Sequence, residues 1–137
     1  MAKDIIHDAV KHALIKDGWT ITHDQYALVY KGERVYSDLA AERMLIAEKS
    51  LEKIIVEVKS FIGLSIIQDF KTAVGQYIMY YDILYESSSE YQLYIATSDV
   101  AYKNIMKRQI TQLILKRHHI PFIVVDIKKE AVIQWIK

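Results

Sequence analysis

Asp38 and, 19 positions later, Glu57-Val58-Lys59 at the end of the apolar run Ile54-Ile55-Val56 are the residues best placed to do chemistry. Read as a strand, residues 54–59 send Ile54, Val56 and Val58 to one face and Ile55, Glu57 and Lys59 to the other. An acid and an amine two residues apart on one face, with a second acid nearby, suit a hard divalent cation beside a phosphodiester. Mg2+ and Mn2+ prefer carboxylate, carbonyl and water oxygens. Asp38 and Glu57 would supply the carboxylates, and the Val58 backbone carbonyl a third ligand. Lys59 would orient the attacking water or stabilise developing charge. The same pattern also fits the wet face of a half-exposed antiparallel strand, and Ser37-Asp38 also fits a helix cap before Leu39.

Gln76 and Tyr80 lie four residues apart in the clearest helical pattern of the chain, residues 64–85, and so share a face. An amide and a phenol presented together can hydrogen-bond a phosphate or a base edge; a surface amide beside a boundary aromatic accounts for the pair equally well. In this helix Ile67, Phe70, Val74, Tyr77, Ile78, Tyr81 and Leu84 read as the inner side.

Other elements must hold these residues in place. Residues 4–17 predict a first helix stopped at Gly18. Short β-like runs follow at 19–22 and 26–30, with a turn at Lys31-Gly32-Glu33. Residues 44–60 read as a hairpin in which 44–47 pairs with 54–59; a helix through 40–49 is the alternative, because Ala, Glu, Met and Leu favour it. A strand at 91–96, a long helix at 100–117 and a buried strand at 122–126 come next. Residues 127–137 read as a short helix or an edge strand. The order α, several β, α, β, α, β predicts an α/β fold with a mixed central sheet flanked by helices.

A chain of 137 residues, 52% apolar, predicts one folded domain over 1–137. A net charge of +1 means that DNA contact must come from a local patch rather than from the overall field. The basic residues of the 100–117 helix and its end, Lys103, Lys107, Arg108, Lys116, Arg117, His118 and His119, supply one such patch or simply a solvated face. The absence of cysteine excludes disulfides and thiolate metal sites. No apolar run approaches the length of a membrane span, and the N-terminus lacks a signal-peptide core, so a cytoplasmic protein with no membrane partner is expected. Tyr77, Tyr80, Tyr81 and Tyr85 crowd one helix, as core residues or as part of a protein interface.

Asp38, Glu57-Val58-Lys59 on an apolar strand, and Gln76 with Tyr80 on the next helix resemble the PD-(D/E)xK nuclease superfamily. The Gln-x-x-x-Tyr element is similar to the extra motif of its RecB-like members. That resemblance implies a restriction-endonuclease-like fold with element order α-β-β-β-α-β-α-β. It also implies Mg2+ or Mn2+ as cofactor, and an additional acid on the first helix for which Asp8 is the candidate. Serine stands before Asp38 where the motif has proline. A closer resemblance is carried by Ile6-His7-Asp8-Ala9-Val10-Lys11, by 14–22 and by Val56-Glu57-Val58-Lys59-Ser60-Phe61. These stretches resemble the XisH family of fdxN-element excision controlling factors. It implies a role in programmed DNA excision during cyanobacterial heterocyst differentiation, with DNA and a XisI-type companion as partners. An endonuclease, a non-catalytic regulatory factor, and a subunit that docks XisI or a second copy of itself as a homodimer all fit this resemblance.

Overall fold

The computed structural model describes residues 2–45 and 50–137. Helix α1 (Ala2–Lys16) is followed by β1 (Thr20–His23), β2 (Tyr26–Tyr30), β3 (Glu33–Ser37), β4 (Leu39–Leu45) and β5 (Ser50–Val58). Then come α2 (Ile66–Glu86), β6 (Gln92–Ser98), α3 (Asp99–Met106), α4 (Gln109–His118), β7 (Phe122–Asp126) and β8 (Ala131–Ile136). Six strands form a mixed sheet in the order β1-β4-β5-β6-β7-β8, and β2 and β3 form a separate two-stranded ribbon. The β5, β6 and β7 strands run parallel; β4, β8 and β1 pair antiparallel to their neighbours. Parallel neighbours need crossovers, which α2 supplies between β5 and β6, and α3 with α4 between β6 and β7. No helix of the described residues is long and apolar enough to cross a membrane.

The sheet is buried on both faces, as the continuous apolar runs of its central strands require. Ile54, Val56 and Val58 of β5, with Ile123 and Val125 of β7, face the stripe Ile6, Val10, Ala13 and Leu14 of α1. Gly18, with φ +93°, ends that helix, and the Trp19 N–H closes back on the Leu14 carbonyl at 3.0 Å. On the opposite face, Ile95, Phe122 and Val124 pack under Phe70 and Ala73 of α2, Ala101 and Ile105 of α3 and Leu115 of α4. The β2–β3 ribbon turns through Lys31 and Gly32, both with positive φ, as a two-residue hairpin turn demands. Its Leu28 closes a third cluster with Ala40, Ile55, Tyr80, Leu84 and Leu93.

Several expectations are corrected. The helix alternative through 40–49 gives way to a strand over 39–45, where burial of Leu39, Ala40 and Ala41 in the sheet outweighs local helix preference. The hairpin register also differs: Leu39 pairs with Val56 and Met44 with Leu51, while the expected strand residues 46 and 47 lie outside the described residues. Of the two readings of residues 127–137, the edge strand holds, over Ala131–Ile136. On α2 the inner side is Phe70, Ala73, Tyr80 and Leu84, whereas Ile78 and Tyr81 are exposed. The single helix expected at 100–117 is two helices, with extended backbone at Arg108. Thr111 is fully buried there and turns its hydroxyl onto the carbonyls of Ile105 and Arg108, and the Gln112 amide donates to the Met106 carbonyl. Side chains thus satisfy the carbonyls that the break releases.

Thr111→Val keeps the shape and removes the donor. It should destabilise the fold by about 1–3 kcal/mol, read as a lower urea midpoint with unchanged circular dichroism. An unchanged midpoint would show that the hydroxyl does not hold this break together.

Candidate functional site

Extending the β4–β5 register one step beyond Leu39 and Val56 sets Asp38 opposite Glu57. Asp38 sits at the junction where β3 ends and β4 begins. Its Oδ2 accepts the Val58 N–H at 2.7 Å, so the carboxylate is fixed against the carboxyl end of β5. Such strand ends are where open α/β sheets collect their ligands.

Glu57 is 8% exposed and is the one charged residue in the buried class among the described residues. Its Oε2 lies 3.3 Å from Lys59 Nζ; its Oε1 is buried without a hydrogen-bond partner. Burial first, and the neighbouring Asp38 charge second, push the Glu57 carboxyl up to about 7. The Lys59 ammonium and the Ser37 hydroxyl pull the other way without cancelling that rise. Ser37 gives its own hydrogen bond to the Val56 carbonyl at 3.0 Å, which leaves Oε1 unpaired. Two acids, one of them half-protonated at neutral pH, and one amine therefore share a small space.

Tyr80 comes to the same place from α2. Its ring is buried in the third cluster and its hydroxyl donates to the Tyr36 carbonyl at 3.1 Å. That bond ties the helix to the strand end just before Ser37 and Asp38. Burial, then the charges of Glu57 and Asp38, raise the phenol to about 12, so Tyr80 stays a neutral donor. Gln76, one turn earlier, is half-buried, and its Oε1 is a second buried acceptor without a partner.

Asp8 is exposed on α1, and no hydrogen bond or ion pair among the described residues joins it to Asp38 or Glu57. Its neighbour His7 occupies that direction instead. His7 Nε2 donates to Asp24 Oδ1 at 2.8 Å, and its Nδ1 lies 3.9 Å from Asp38 Oδ1. Asp24 also takes Lys11 Nζ at 2.8 Å, and that bond, ahead of the one from His7, holds its carboxyl below the usual range. Sequence reading missed His7, Asp24 and Ser37. His7 could have been found one place before Asp8; Asp24 lies between two short strands with no pattern to mark it. Beside Lys59, a cleft of about 280 Å3 runs along Ser60, Phe61 and Gly63 toward Asp69. Among the described residues no three His, Asp or Glu side chains gather closely enough to form a metal cage by themselves. Two carboxylates with a backbone carbonyl and waters would be the ligand set here.

The sequence profile of the XisH protein family matches residues 1–133. The chain belongs to the XisH family. Two solved structures share its fold, each with 36% identity and a TM-score of 0.86. One is an XisH family protein from Nostoc punctiforme, matched over 98% of this chain and 100% of that one. The other is an fdxN element excision controlling factor protein from Anabaena variabilis, matched over 98% of this chain and 99% of that one. No curated protein matches the chain. Within this XisH family chain, Asp38, Glu57, Lys59 and Tyr80 converge on the end of β5, and Asp8 stands apart.

Glu57 makes stability pH-dependent in a calculable direction. Its carboxyl titrates near 4.5 when unperturbed and near 7 when folded. Between these values the folded chain keeps a proton that the unfolded chain has released, so stability falls as pH rises through this window. The loss amounts to about 3 kcal/mol by pH 8. Glu57→Gln lacks this titration. In EDTA its stability should gain on the wild type by about that amount between pH 5 and pH 8, measured by urea unfolding; parallel pH profiles would contradict the assignment.

Proposed function

We propose that this chain acts on DNA in the excision of a chromosomal element, and that Asp38, Glu57 and Lys59 form a PD-(D/E)xK-type phosphodiester-hydrolysing site on a restriction-endonuclease-like fold. The observation that carries this reading is Glu57 itself: a buried carboxylate with an unpaired oxygen, crowded by a second carboxylate and touched by an amine. Burying such a group without full pairing is costly. A Mg2+ or Mn2+ ion would relieve both the unpaired oxygen and the repulsion between acids, so the donor set fits the cofactor. The name of the Anabaena variabilis relative, an fdxN element excision controlling factor, supports the biological setting.

Glu57 and Asp38 would hold the cation, with the Val58 carbonyl completing the protein ligands. When bound, the cation supplies charge neutralisation at the phosphate and a more acidic water. Lys59 then turns its Nζ from Glu57 toward a phosphate oxygen or the attacking water. Asp38 is already oriented by the Val58 N–H, and Tyr80 keeps that strand end in place through Tyr36. Gln76 offers an amide toward the substrate from the same face of α2. His7 stands where it can sense the charge on Asp38.

A second reading is favoured by one specific observation: Lys59 and Asp38 each already have an internal partner, Glu57 and the Val58 N–H. On that reading the fold is kept for binding DNA or a XisI-type companion, and cutting is left to another protein.

The wild type should cleave at least one member of a panel of linear, nicked, flapped and branched DNAs in Mg2+ or Mn2+. Lys59→Ala should lower that rate by about 100-fold or more with an unchanged circular dichroism spectrum, although its urea midpoint should fall because a buried carboxylate loses its partner. No cleavage of any substrate in either metal, with DNA or the companion still bound, would decide for the accessory role.

A further inference from the structure

A cleft of about 430 Å3 opens at the other end of the sheet from Glu57. It lies by Gln92 and Leu93, which begin β6, and by Pro121, just before β7. Glu57 and Val58 end β5 instead, so the two places are separated by the length of the parallel strands. A volume of this size falls within the range of ordinary ligand sites.

One wall is a ladder of tyrosines at helical spacing on α2. Tyr77 and Tyr81 have ring centroids 6.1 Å apart with planes inclined 26°. Tyr81 and Tyr85 are 6.4 Å apart, inclined 19°. Exposure is 49% at Tyr81 and 72% at Tyr85, so two rings of this ladder stand largely in solvent. Exposed rings in series at this spacing offer a surface on which flat rings can stack. Tyr91 closes the far side.

The rim carries basic side chains. His119 and Lys137 line the cleft, and a neighbouring hollow of about 400 Å3 shares Tyr77, Tyr81 and His119 and adds His118 and the single acid Asp82. Lys116 and Arg117 belong to the same basic last turn of α4. His119 holds the left-handed conformation at the end of that helix, φ 49°, a position that glycine fills at least cost. Its imidazole lines both hollows.

We propose that this cleft is a second binding site, which stacks the bases of single-stranded nucleic acid on the exposed rings of Tyr81 and Tyr85 and meets its phosphates with Lys137 and the His119 imidazole. Exposed aromatic rings in series beside basic side chains are what base stacking along a charged backbone requires. A protein partner would need about 800 Å2 of matching surface on each side. The site is independent of phosphodiester hydrolysis at Glu57.

The test is fluorescence anisotropy of a labelled 20-nucleotide oligo(dT) in EDTA, against a duplex of equal length. The wild type should bind oligo(dT) in preference to the duplex. The double variant Tyr81→Ala/Tyr85→Ala should bind about tenfold or more weakly, and Tyr81→Phe/Tyr85→Phe should bind like the wild type, because stacking needs the ring and not the hydroxyl. The proposal is overturned if the wild type does not bind oligo(dT) or if the alanine variant binds as well as the wild type. Loss of self-association in the alanine variant, by sedimentation velocity and without oligo(dT) binding by the wild type, would make the ladder an interface between copies of the chain.

Discussion

A carboxylate placed inside a protein must be paired, neutralised or given a cation, and Glu57 has each of these answers only in part. Lys59 satisfies one oxygen, burial and Asp38 favour the proton, and the second oxygen is left open. Much of the surrounding structure serves to keep this unresolved group where it is. The β4–β5 pairing brings Asp38 opposite it, the Val58 N–H fixes Asp38, and Tyr80 pins the strand end through the Tyr36 carbonyl. Apolar packing on both faces of β5 removes the water that would otherwise settle the charge. The arrangement leaves a buried carboxylate incompletely paired, the kind of perturbed group that clusters at functional sites.

The alternation along β5 was legible because a strand has only two faces: with Ile54, Val56 and Val58 toward α1, Glu57 and Lys59 had to go the other way. Asp38, Gln76 and Tyr80 were singled out as members of a resembled motif, and the sheet and the β2–β3 ribbon bury the Tyr80 ring in the interior. The face of α2 was misread by one position because the helical spacing of its apolar residues is generous. Tyr77, Ile78, Tyr80 and Tyr81 all qualify as inner residues until the β2–β3 ribbon and the sheet choose among them. The same limit hid the strand at 39–45, whose residues prefer a helix until they are given strand neighbours. The break between α3 and α4 carries no glycine or proline to announce it; it depends on where the Thr111 hydroxyl turns in three dimensions. His7 and Asp24 meet across 17 positions, a distance no local pattern spans.

The two ends of the parallel strands differ in chemistry. The carboxyl end of β5 collects acids and an amine in a confined, apolar setting, suited to polarising a small charged group. The opposite end, under the last turns of α2 and α4, collects phenol rings, imidazoles and a lysine on an open surface, suited to holding something longer and flatter. One sheet thus separates a buried acid–amine cluster from an open aromatic surface. Its near-neutral net charge is compatible with both, since each relies on local grouping and not on the overall field.

The most direct measurement is the titration of the Glu57 side-chain carboxyl by carbon-13 NMR, assigned by the resonance that Glu57→Gln removes, in EDTA and in saturating Mg2+. The account predicts a midpoint near 7 without metal and a displacement to lower pH with it, as a cation takes the place of the proton. A midpoint near 4.5 that Mg2+ leaves unmoved would show an ordinary carboxylate satisfied by Lys59, and would contradict the cation site.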